Sequence, residues 1–177
     1  MDEDRETAYH ESGHCIAGRA FDWRIDSTGL VRDVKGRTGA THLHCGIAPS
    51  DKQPRESIAF LSAGHHGELA ISANAQVSTA GGCWAPADDE RLECVDIAER
   101  VLRLKTRAAI KFVDRVSALT LAFLQRPTVR TLHARIAVAI LDRGVLNEQQ
   151  IEALWRDAAI SDADLRAFRA ALLAMDQ

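Results

Sequence analysis

The sequence predicts an α+β domain that is predominantly α-helical and carries one small β hairpin. Two observations lead there. Apolar residues recur at three- and four-residue spacing through most of the chain, in segments set off by Gly, Pro or capping residues. Short strand-like segments appear only between Trp23 and Ala48. The 177 residues show no internal repeat, low-complexity tract or linker, so a single domain spanning 1–177 is expected.

The first helix runs from Asp2 to about Phe21. Acidic residues crowd its start, where they suit the positive end of the helix dipole. Gly13 and Gly18 lie inside it, each costing about 1 kcal/mol against Ala, so each needs a packing or functional reason. Ile25–Val31 and Gly39–Cys45 follow as two strands, with Asp33–Gly39 as the turn between them. A helix over Arg55–Ser72 buries Ile58, Leu61, Leu69 and Ile71. A loop at Ala73–Ala87 carries Gly81, Gly82, Trp84 and Pro86.

From Asp88 a helix runs to about Lys105, with Cys94, Ile97, Ala98, Val101 and Leu104 on one stripe. Arg107–Leu124 makes the next, ended before Pro127, and Val129–Leu141 another, stopped by Gly144. Asn147 with Gln150, and Ser161 with Asp164, open the last two helices, the final one reaching about Met175.

Composition excludes several classes of function. Lys plus Arg is 22 against Asp plus Glu at 25, a net charge of -3, which leaves no basic excess for a run of phosphates and argues against nucleic acid. Aromatics at 5% are too few for a base-stacking platform. No apolar stretch approaches membrane-spanning length and no signal peptide is seen, so a cytoplasmic protein is expected. The cysteines at 15, 45, 83 and 94 form no C-x-x-C pair, which speaks against a Cys-based zinc site; Cys15 is expected to pack in the core.

Chemistry concentrates in His10-Glu11-Ser12-Gly13-His14. Histidines at i and i+4 leave a helix on one face and can grip one zinc ion, while Glu11, turned about 100° away, is placed to act on a water at the metal. With 7 His in the chain, random placement gives roughly 0.015 occurrences of H-E-x-x-H. A catalytic zinc also needs a third protein ligand.

Thr7–Ala17 resembles the zinc-binding helix of the FtsH family of zinc metallopeptidases. The resemblance continues through Phe60–Leu69, Asp88-Asp89-Glu90, the helix ending Asp96–Arg100, and Leu132–Leu154, covering about 5–157 and leaving 158–177 as an extra C-terminal helix. It implies an FtsH peptidase-like helical domain in which an acidic residue of the Asp88-Asp89-Glu90 run, where the helix opens, completes the site. Pairing Asp88-Asp89 with the family's Asn-Asp sequence gives Asp89, the first choice. Matching the apolar stripe downstream without a gap gives Glu90 instead. Asp88 is the third choice and suits a helix cap.

The resemblance implies a zinc-dependent endopeptidase acting on peptides or unfolded protein segments. Zn2+ would be held by His10, His14 and one of the two carboxylates, with Glu11 as general base. The strand at Gly39–Cys45 would hold an extended substrate. The family's proteases carry membrane anchors and an ATPase. This sequence has no G-x-x-x-x-G-K-[ST] loop, so it is expected to hydrolyse independently of ATP or to rely on a separate ATPase partner. Homo-oligomers, as in ring-forming relatives, are compatible with the sequence. The alternative is a non-catalytic metal-binding or protein-interaction domain derived from the same fold.

The remaining histidines have plainer expectations. His42 and His44 share one face of a strand and are read as its solvent side. His65 and His66 are read as an exposed pair, and His133 as satisfied or exposed. Cys83 and Trp84 either line a specificity pocket or anchor the core.

Overall fold

Helix α1 (Glu3–Ala20) packs against the helices over Pro54–Ile71 and Pro127–Arg143 and against the first two strands. The computed structural model describes residues 3–32, 38–44, 53–71 and 89–175. After α1 come strands β1 (Ile25–Arg32) and β2 (Thr38–Leu43), then α2 (Pro54–Ile71), α3 (Asp89–Arg100), α4 (Thr106–Leu124) and α5 (Pro127–Arg143). Strand β3 (Val145–Asn147) and helices α6 (Glu148–Ala158) and α7 (Asp162–Leu173) complete the chain. The fold is mostly helical with a small antiparallel sheet.

The helix periodicity of α1 explains its place. Ala8, Cys15, Ile16, Ala17 and Ala20 are fully buried, and the acidic residues Glu3, Asp4 and Glu6 occupy the first turn. Its internal glycines answer a packing demand. A Cβ on Gly13 would lie 2.1 Å from the Ala63 carbonyl oxygen of α2, and one on Gly18 would lie 2.8 Å from Ile25 Cδ1. The two helices therefore pass closer than side chains would allow. Helix α5 covers another side of α1, with Val129, Leu132, Ile136, Ala137 and Ile140 all buried. Phe123 and Phe168 stack at 4.3 Å, joining α4 to α7.

The sheet has the order β2-β1-β3, so the hairpin is extended by a third strand that periodicity did not reveal. At three residues, Val145–Asn147 is too short to show alternation; its pairing of Leu146 with Thr28 exists only because α5 delivers the chain alongside β1. Helix α3 also differs from expectation, ending at Arg100 rather than near Lys105. Arg103 takes a positive φ of 55°, and the Leu104 amide turns back to the Ala98 carbonyl at 3.2 Å, which closes the helix while Leu104 still packs against the core. The caps behave as their residues predict: Asn147 and Gln150 form a reciprocal capping box, and the Ser161 hydroxyl accepts from the Asp164 amide.

No helix among the described residues is long and apolar enough to cross a membrane. The turn at 33–37, Cys45, and the 72–88 segment with Cys83, Trp84 and Asp88 lie outside the described residues.

Candidate metal centre

His10 and His14 leave α1 one turn apart and both aim Nε2 at the same point, the two nitrogens 3.0 Å from each other. A carboxylate oxygen of Glu90 completes the group, 2.8 Å from His14 Nε2 and 3.3 Å from His10 Nε2. Among the described residues, His10, His14 and Glu90 are the one set of three such side chains whose ligand atoms all fall within 4.8 Å of one another. Donors on a zinc at ordinary bond lengths stand about 3.3 Å apart, so this spacing suits a single ion.

Each histidine is fixed from behind. His10 Nδ1 is 2.6 Å from Glu68 Oε1, and His14 Nδ1 is 2.9 Å from the Phe60 carbonyl oxygen. Both contacts place the ring proton on Nδ1 and leave the Nε2 lone pair facing the centre, the tautomer a metal needs. The Phe60 ring stacks on His14 at 4.8 Å. Room for the rings comes from Gly64, where a Cβ would sit 2.5 Å from both Nε2 atoms. Phe60, Gly64 and Glu68 follow one another at one-turn spacing on α2, so a single helix face supplies the backing, the gap and the carboxylate.

The electrostatics favour a cation. Burial opposes charge on His10, but its hydrogen bonds to Glu68 and Glu90 and the charges of Glu90 and Glu11 outweigh that, raising its pKa to about 10. Burial likewise opposes charge on His14, and Glu90 overcomes it, raising that pKa as well. Glu90 stays well below the usual carboxylate range despite its burial, because both imidazoles stabilise its charge. The carboxylates that hold protons on these rings would equally hold a divalent ion in their place.

Glu11 is turned away from the histidines toward the sheet and is only 6% exposed. The Thr41 hydroxyl of β2 donates to Glu11 Oε2 at 2.7 Å and lies 2.7 Å from the Thr28 hydroxyl across the hairpin. With the Thr41 proton committed to the carboxylate, Thr28 donates to Thr41, so the hairpin holds Glu11 by a short chain of hydroxyls.

Asp89 and Glu90 separate clearly. Glu90 shares the buried stripe of Cys94, Ile97 and Ala98 and faces α1 and α2, whereas Asp89, about 100° around the helix, is exposed. The site therefore gathers Glu90 and leaves Asp89 outside, against the first choice made from the sequence. The phase of a helix decides which neighbour faces inward, and the apolar stripe carries that phase.

No protein-family model matches the chain, and no curated protein matches it. The arrangement of side chains is what speaks to its chemistry.

Four contributors escaped the sequence reading as functional residues: Glu68, Gly64, Thr28 and Thr41. Glu68 and Gly64 had a signal in their one-turn spacing on α2. The threonine pair had none, since strand register sets it. Among the other histidines, His42 is exposed and His44 Nδ1 lies 2.8 Å from Asp26 Oδ1. His66 corrects the expected exposed pair: it is 1% exposed, and burial lowers its pKa to about 3. The residue falls on the face of α2 that turns toward α4, whose Ser117 backbone it meets. His133 is buried, its Nε2–H donating to the Tyr9 carbonyl at 2.9 Å. Cys15 is fully buried, and burial pushes its thiol up to about 12, which suits packing rather than reactivity.

Proposed function

We propose that the chain is a zinc-dependent peptidase acting on peptides or unfolded protein segments, with His10, His14 and Glu90 as metal ligands. The observation that carries this reading is the convergence of two Nε2 atoms and one carboxylate, each ring fixed through Nδ1, beside a buried Glu11 that is not part of the triad. Two histidines and one carboxylate leave a coordination position open, as catalytic rather than structural zinc sites do. When bound, zinc supplies Lewis acidity toward a carbonyl oxygen and lowers the pKa of a water ligand toward neutrality.

The protein's own groups do the rest. Glu11 accepts a proton from the attacking water and returns it to the leaving amine. Thr41 fixes one of its oxygens at 2.7 Å, which orients the carboxylate and leaves the second oxygen for that exchange. Glu68 keeps the His10 ring in its ligand orientation. Strand β2 pairs with β1 on one side only among the described residues. Its other edge can take an extended peptide by backbone hydrogen bonds, close to Glu11 because Thr41 belongs to it. On its own the domain acts on peptides and already unfolded segments, and a folded substrate needs to be opened first.

One observation favours a second reading, a metal-binding domain without hydrolysis: Glu11 is almost fully buried and already hydrogen-bonded. Glu11→Gln separates the two. The peptidase reading expects zinc content unchanged and cleavage of a broad peptide pool reduced by at least about a hundredfold. Equal behaviour of wild type and variant on that pool would leave only the metal-binding domain.

A further inference from the structure

Strand β2 carries Gly39 and Thr41 two residues apart, on one face, and that face lies against α1. Thr41 meets Glu11 through its hydroxyl, which donates to Oε2 at 2.7 Å. Gly39 meets it by having no side chain. A Cβ at position 39 would lie 2.5 Å from Glu11 Oε1 and 3.2 Å from Glu11 Cδ. It would also lie 2.6 Å from Cγ2 of Thr7, one turn earlier on α1. One oxygen of the carboxylate is thus hydrogen-bonded by the strand, and the other abuts the strand's bare backbone.

The local backbone is shaped for this approach. Gly39 takes a φ of 127°, a conformation that residues with a side chain rarely adopt. Between the pairs Gly29–Ala40 and Arg32–Thr38, Leu30 and Val31 of β1 stand opposite the single residue Gly39, which makes a β-bulge. Leu30 gives its amide to the Gly144 carbonyl at 2.8 Å, so the bulged stretch is tied on the side away from β2. A bulge kinks a ladder locally, and this one falls at the residue that lies against Glu11.

We propose that Gly39 and Thr41 form a two-point seat for the Glu11 carboxylate, which makes Gly39 a positioning residue for the general base. The contact stands on the geometry; its consequence for turnover rests on the peptidase reading. Helix α1 fixes the Glu11 backbone and leaves its side-chain torsions open. The seat selects one setting, with Oε2 tied by the Thr41 hydroxyl and Oε1 confined beside Gly39. Such positioning matters because a displacement of about 1 Å can cost about a hundredfold in rate. Both residues touch Glu11 with a face of β2, whereas an extended substrate would pair along its edge. The seat therefore governs turnover rather than substrate affinity.

The test uses the full chain, with glutamate side-chain carboxyls labelled with 13C and the Glu11 signal assigned by its absence in Glu11→Gln. At neutral pH that signal is expected to move in Gly39→Ala and in Thr41→Val, and to return toward the wild-type position in Thr41→Ser. Thr41→Val keeps side-chain shape and strand preference, so it tests the seat even if Gly39→Ala fails to fold. On a cleaved member of a broad peptide pool, zinc-loaded Thr41→Val is expected to lose about tenfold or more in kcat. KM and zinc content should be unchanged, with kcat largely recovered in Thr41→Ser. An unmoved Glu11 signal in Thr41→Val overturns the proposal, as does a wild-type kcat in that variant. Loss of zinc along with activity would make Thr41 a packing residue and overturn it as well. A chain that cleaves no peptide but shows the signal changes supports the seat and removes the peptidase reading, so the two failures are distinct.

Discussion

Glu68 reaches from α2 to within 2.6 Å of His10 Nδ1, on the opposite side of the ring from the Glu90 carboxylate. The imidazole is held between two carboxylates, one fixing its orientation and the other converging with it on the proposed ion. Such outer partners typically contribute 10–100-fold to metal affinity. Glu68→Gln is expected to weaken zinc binding by roughly that range, measured by competition with a chromogenic chelator, while Glu68→Asp recovers part of the loss. Unchanged affinity in Glu68→Gln would mean the contact is incidental.

Glu90 and Asp89 are neighbours with opposite prospects. Glu90→Ala removes a donor that sits 2.8 Å from His14 Nε2, so elemental analysis of the purified variant should find zinc largely lost. Asp89→Ala alters an exposed side chain and should keep near-stoichiometric zinc. The reverse result would return the ligand role to Asp89.

Gly64 gives a test that does not touch a ligand. Alanine is favoured over glycine in a helix by about 1 kcal/mol, yet a Cβ here would lie 2.5 Å from both Nε2 atoms. Gly64→Ala should therefore keep its helical circular dichroism and weaken zinc binding by at least about tenfold, as the rings are pushed apart. Tight binding with normal stoichiometry would show that the rings have other room.

His133 makes stability depend on pH. Burial lowers its pKa to about 4, the hydrogen bond to the Tyr9 carbonyl offsetting only part of that. The unfolded chain has an ordinary histidine pKa of about 6.5, so between the two values the unfolded state binds more protons than the folded one. The contribution is complete above about pH 6.5 and is lost as pH falls toward 4, at about 1.4 kcal/mol per unit. Urea unfolding at pH 6.5 and 5 should show wild type losing about 2 kcal/mol more than His133→Gln. Parallel losses in both proteins would place the titration elsewhere.

By itself the sequence determined the helical α+β class, the hairpin, and the facing pair His10 and His14, because helix period and capping chemistry are local. It also contained the case for Glu90, in a stripe that runs through Cys94, Ile97 and Ala98. Choosing between Glu90 and Asp89 nevertheless needed α3 laid against α1 and α2, since two adjacent carboxylates differ only in which side of the helix meets a neighbour. The tertiary structure alone decided the support of the site. Glu68 meets His10 because α1 and α2 cross closely at Gly13, and Thr41 meets Glu11 because strand register pairs it with Thr28 beneath α1. Those contacts join residues 30 to 58 positions apart, and no local preference of the chain encodes a distance of that kind.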